Sequence, residues 1–174
     1  MKNKEKIITK EYLHYLFKYD NGKLIWRNKT SKYSNIKIGE IAGCKDEEGY
    51  VNIGINGKIY RVARLVWLYF NGDWPEFVID HENRIRDDNR IENLRPATYL
   101  ENNANVGLNC KNTSGHKGIS WSKSCKKWHA RIRHKPKNIH VGYFENIEDA
   151  VKARDAKALE LQGEFAWLNR QCAL

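Results

Sequence analysis

Residues 78–103 read VIDHENRIRDDNRIENLRPATYLENN, and this block decides what kind of domain surrounds it. Val78 and Ile79 form a short apolar run that ends on Asp80-His81, which places an acid and an imidazole at the end of a strand. A polar loop rich in Asp, Asn and Arg follows. Asn93-Leu94-Arg95 is read as the returning strand, and Ala97 to Val106 as a helix that presents Asn102. Hydrolysis of a phosphodiester needs an activated water, a cation on the phosphate and support for the leaving oxygen. Histidine serves as a base near neutral pH. Carboxylate and amide oxygens are hard ligands suited to Mg²⁺ or Mn²⁺, and a second asparagine can hold an imidazole in one tautomer. The same residue types also serve as turns and caps, as Asn89, Asn93, Asn102 and Asn103 would in an Asn-rich loop. Spacing alone leaves both readings open.

Upstream, Lys10 to Tyr19 reads as an amphipathic helix with Leu13, Leu16 and Phe17 on one stripe. Asn21-Gly22 then turns the chain into a strand, Lys23 to Trp26. Tyr50 to Ile55 and Lys58 to Val62 flank Asn56-Gly57, a hairpin signal because a type I′ turn needs positive φ at both central residues. Ala63 to Phe70 reads as a helix that closes near Gly72, and Pro75 breaks the chain. Downstream, GLNCKNTSG (residues 107–115) is polar and glycine-bearing, a linker. Three strands follow at Gly118 to Trp121, Trp128 to Arg133 and Ile139 to Phe144, then a helix with Asn146 as N-cap, Asp149 three residues on, and Gly163 past its end. The expected fold class is α+β. An N-terminal antiparallel sheet with helices and the strand–strand–helix block spans 1–106, the linker 107–115, and a small three-stranded antiparallel sheet packed on one helix 116–174.

The 174 residues are 41% hydrophobic and 30% charged, a globular balance. Lys plus Arg number 31 against 21 Asp plus Glu, net +10, and the pI near 9.4 suggests a polyanionic partner. The charge is concentrated: Lys117, Lys123, Lys126, Lys127, Arg131, Arg133, Lys135 and Lys137 occur with no acid between them, interrupted by Trp121 and Trp128. Basic and aromatic residues interleaved on strands suit phosphate contact plus stacking, and equally a solvated basic face over an aromatic core. No apolar run approaches the roughly 18 residues of a membrane helix. Met1 to Lys10 lacks the apolar core of a signal peptide. Cys44, Cys110, Cys125 and Cys172 form no CxxC pair. The expectation is no zinc knuckle, no membrane association, and reduced thiols in a cytoplasm.

With those residues in view, 78–103 resembles the ββα-metal motif of HNH nucleases, in the form found in phage-encoded HNH homing endonucleases. The resemblance runs back through Arg64-Leu65-Val66-Trp67 and the Asn56-Gly57 hairpin, over roughly residues 10–112. It implies that His81 is the general base, that Asn93 orients His81, and that Asp80 and Asn102 bind one divalent ion, Mg²⁺ or Mn²⁺. Asn102 replaces the final histidine of the family name, an HNN variant. Arg95 or nearby basic residues are implied to contact the scissile strand. One departure is Ala63, where relatives carry a histidine before Arg64-Leu65-Val66.

Residues 114–169 resemble the APETALA/ethylene-response-factor DNA-binding domain, which also occurs fused to phage HNH nucleases. Gly118, Trp128, Ile132-Arg133, Gly142-Tyr143-Phe144, the Ala-rich helix, Gly163-Glu164-Phe165-Ala166 and Leu168-Asn169 carry that resemblance. It implies a sheet laid in the major groove, with Trp121, Lys123, Lys126, Lys127, Arg131 and Arg133 on DNA and Trp128 either core or contact. Ser120 and Ser122 stand where plant relatives have arginines, so base preference does not carry over. Together the resemblances imply a site-directed, homing-type endonuclease on double-stranded DNA, with metal-assisted attack of water, no small-molecule cofactor, and nicking by a monomer or a double-strand break by paired chains. A DNA-binding protein that has lost catalysis is the alternative. An RNA-directed protein is a third reading, disfavoured because the deep RNA major groove excludes a sheet.

Overall fold

The computed structural model describes residues 8–134 and 137–169. Readings that fall on residues 1–7, Lys135 and Cys172 lie outside them. Packing divides the chain into two units, Met1–Pro96 and Ala97–Leu174, each with its own core.

The first unit begins with α1 (Lys10–Leu16), capped by the Thr9 hydroxyl, which accepts from the Tyr12 amide. The helix stops earlier than its apolar stripe suggests. Phe17–Asp20 is strand β1, paired antiparallel with β2 (Lys23–Trp26). Asn21 and Gly22 adopt φ of 42° and 84°, so the turn demands a strand on both sides and overrides the helical spacing of Phe17. A three-stranded sheet follows in the order β3 (Cys44–Lys45), β4 (Val51–Ile55), β5 (Lys58–Arg61), with Asn56 and Gly57 at φ of 52° and 79°. Helix α2 (Val62–Asn71) buries Val62, Ala63, Leu65, Val66 and Leu68 and ends on left-handed Gly72. Leu13, Leu16, Phe17, Ile53 and Ile55 complete the same core. Strand β6 (Val78–His81) pairs with β7 (Leu94–Ala97), and a 3₁₀ turn at Ile91–Asn93 leads into β7.

The second unit holds α3 (Tyr99–Asn105) and an antiparallel sheet in the order β10 (Lys137–Phe144), β9 (Lys127–His134), β8 (Ile119–Ser122), backed by α4 (Ile147–Gln162). The sequence reading grouped α3 with the first 106 residues. Here α3 packs on β9 and on the 3₁₀ turn Gly163–Phe165, so the division falls at 96/97. Asn146 precedes α4 without a side-chain cap bond. The capping box sits instead on α3, between Thr98 and Glu101. Asp155 anchors the chain end: both of its carboxylate oxygens accept from Asn169, and buried Arg154 pairs with Oδ1 at 3.0 Å. Asn169 in turn bonds the Lys117 backbone, tying the start of the sheet to its close. The fold class is α+β with small antiparallel sheets. Among the described residues no helix is long and apolar enough to cross a membrane.

Candidate active site and nucleic-acid interface

Strand β6 carries Asp80 and His81 to its end, where they are 4% and 5% exposed. The His81 Nε2–H donates to Asn89 Oδ1 at 3.1 Å, which leaves the lone pair of the neutral ring on Nδ1. Asn89 is itself 2% exposed and donates to the Asp87 carbonyl, so the loop fixes the residue that fixes the imidazole. Burial pushes the His81 pKa below its ordinary value, against the opposing pull of the Asn89 bond and of Asp80 and Asp88.

Asn93 occupies a different post from the one its resemblance implied. Its Oδ1 accepts from the Asn83 amide at 3.0 Å and its Nδ2 donates to the Asp88 carbonyl at 2.8 Å. It thus staples both limbs of the 82–92 loop, and the amide on the imidazole is that of Asn89. Asp88 stiffens the same loop. Its carboxylate accepts from Arg90 and from Asn83, and Arg90 holds its pKa far below the usual carboxylate range. Arg95 pairs with Asp80: its Nε sits 3.0 Å from Oδ2 and its side chain is 15% exposed. Asp80, His81, Asn89, Asn93 and Arg95 are gathered in the first unit, whereas Asn102 stands half-buried on α3 of the second. Ala63, the position of the departure, is buried in α2.

No described group of three His, Cys, Asp or Glu gathers as a metal cage. Asp80 offers an ion an anionic oxygen beside the base. That donor set fits a hard ion such as Mg²⁺, which keeps several waters and takes one or two carboxylates together with substrate phosphate.

Three further residues lie at this end of the unit. Tyr50, just before β4, places its ring 6.0 Å from that of His81. Arg61 lies over the Tyr50 ring at 3.7 Å and Arg86 at 4.9 Å. No short motif marks them. Asn89 was legible only as one more turn residue, since its orientation toward His81 is a property of the closed loop.

In the second unit the pleat sorts the basic stretch. Ile119 pairs with Ala130 and Trp121 with Trp128, so these four share the face that packs on α4. Trp121 meets Trp128 edge-on at 5.2 Å and is 49% exposed at the rim of that inner face. It is therefore not on the face expected for DNA contact. The outer face carries Ser120, Ser122, Lys127, His129, Arg131 and Arg133, joined by Asn138, His140 and Tyr143 across from β9. Lys123 and Lys126 lie in the β8–β9 turn, Lys126 at φ 52°. His129 and His140 bond to each other at 2.9 Å, both rings against Tyr143.

Residues 60–104 match a family model described as HNH endonuclease. The chain is 33% identical over 102 residues to a protein of Escherichia phage T7 named Protein 3.8, a match covering 58% of this chain and 84% of that protein. No solved structure matches.

Proposed function

We propose, from the premise that this chain belongs to the family that includes Protein 3.8 of Escherichia phage T7 and carries an HNH endonuclease domain at residues 60–104, that it is a site-directed, homing-type DNA endonuclease that nicks one strand. The observation that supports this best is His81, buried beside Asp80 with its Nε2 fixed on Asn89.

In this reading His81 Nδ1 takes a proton from water, and the water oxygen attacks phosphorus as the bond to the 3′-oxygen breaks. The products are a 5′-phosphate and a 3′-hydroxyl. Asn89 keeps the ring in the accepting tautomer, and Asn93 keeps the loop that carries Asn89. Asp80 would hold one divalent ion, Mg²⁺ or Mn²⁺, which when bound would stabilise the negative charge gathering on the phosphoryl and leaving oxygens. The outer face of the second unit, with Lys127, Arg131 and Arg133, supplies the address on duplex DNA through phosphate contact and groove fit, as its likeness to the APETALA/ethylene-response-factor domain implies.

A second reading is a DNA-binding protein without catalysis. One observation favours it: Asp80 Oδ2 already carries a cation, the Arg95 guanidinium. Incubation of the purified chain with supercoiled DNA in Mg²⁺, Mn²⁺ or EDTA separates the two. Nicked circles that require metal establish the nuclease. Tight duplex retention in EDTA with no metal-dependent product, before and after Ala63→His, establishes the binder.

A further inference from the structure

The Tyr50 cluster has a composition that loop packing does not require. Arg61 comes from the end of β5 and Arg86 from the β6–β7 loop, yet both guanidiniums lie over one ring, at 3.7 and 4.9 Å. Two like charges gathered on one aromatic repel. Glu48 reaches Arg61 at 3.6 Å from an exposed position, Asp46 also lies within electrostatic reach of Arg61, and Arg86 donates to the Glu48 backbone carbonyl at 2.7 Å. An exposed pair of that length contributes little. What the arrangement does achieve is orientation. A guanidinium over a ring face is restrained there, and each of these has donors beyond those two bonds, in the fork that matches a phosphate. The ring they stack on is the one beside His81.

We infer that Arg61 and Arg86, held on Tyr50, form a clamp for neighbouring phosphates of the DNA strand that passes His81. The inference rests on the DNA-cleaving reading and names the residues that place its substrate. The two arginines act as positioning residues: they fix the backbone and leave the proton transfer to His81.

The test uses the full chain. Duplex affinity is measured in EDTA between about 50 and 200 mM salt, where each phosphate contact adds about 0.9 to the slope of log affinity against log salt. Arg61→Gln with Arg86→Gln should lower that slope by nearly two. Arg61→Lys with Arg86→Lys should retain it. With Mg²⁺, the glutamine pair should lower nicking at limiting DNA more than tenfold, with a smaller loss at saturating DNA. An unchanged slope in the glutamine pair, in protein whose thermal unfolding matches wild type, overturns the clamp. A lowered slope in a chain that never nicks DNA upholds the clamp and removes the nuclease reading instead.

Discussion

Asn93→Ala separates the role observed for this residue from the one its position in the motif implies. The substitution deletes two hydrogen bonds, the 3.0 Å bond from the Asn83 amide and the 2.8 Å bond to the Asp88 carbonyl, both in part-buried surroundings. A net bond contributes about 1 kcal/mol, and a backbone group left without a partner out of water costs somewhat more. The loop should therefore lose about 2–3 kcal/mol. Because the chain has two units, a global melt would blur that loss, and amide hydrogen exchange at Asn83 reads it directly. Protection there should fall roughly 30- to 150-fold, while amides of β9 and α4 exchange as before. Asn93→Asp keeps the acceptor for Asn83 but loses the donor to Asp88, and should retain more of the protection. If Asn83 exchange stays within threefold of wild type while the His81 ring resonances move, Asn93 acts on the imidazole and the loop-staple argument is wrong.

Asn89→Ala deletes the bonds to His81 and to the Asp87 carbonyl, so it should cost about 2–3 kcal/mol and lower the single-turnover nicking rate about tenfold; an unchanged rate would dismiss Asn89 as the tautomer-setting group. Arg131→Gln with Arg133→Gln should reduce the salt slope of duplex binding by nearly two, whereas Trp121→Ala should leave it unaltered and lower the thermal midpoint of the second unit. A slope that drops in the tryptophan variant would put that side chain back on the DNA face. Arg90 depresses the Asp88 pKa in the folded chain, so the pair stabilises the fold above the ordinary carboxylate pKa of about 4, and that contribution fades as pH falls toward the depressed value. The urea midpoint of wild type should exceed that of Asp88→Asn at pH 6 by more than at pH 3; a gap independent of pH counts against the ion pair.

What could be read from the residues follows the range over which each signal acts. The hairpin turn at Asn56-Gly57 and the end of α2 at Gly72 were legible because positive φ is a local demand. The β6–β7 block was legible because its Asp-His and Asn-Leu-Arg pattern is dense over a short span. Phe17 misled because Leu13, Leu16 and Phe17 fit a helical stripe, and only the partner across the turn, Trp26, makes it a strand residue. Trp121 misled because a run of basic and aromatic residues has no face until its register against Trp128 is known. Asn89 and Asn93 are the same residue type four positions apart, and the loop closure alone decides which one reaches His81. Tyr50, Arg61 and Arg86 meet from three segments, which no local pattern records.

The central claim is that His81 draws the proton from the attacking water, and the nicking rate of His81→Ala at matched DNA occupancy tests it most directly. Supercoiled DNA is saturated with wild type or variant, with affinity for duplex checked in EDTA, and Mg²⁺ is added to start a single turnover. Loss of a general base should lower the rate by about 10²- to 10⁴-fold with affinity unchanged. A variant that binds equally well and nicks within a factor of about ten of wild type would show that another group takes the proton, and the assignment of this site would fall with it.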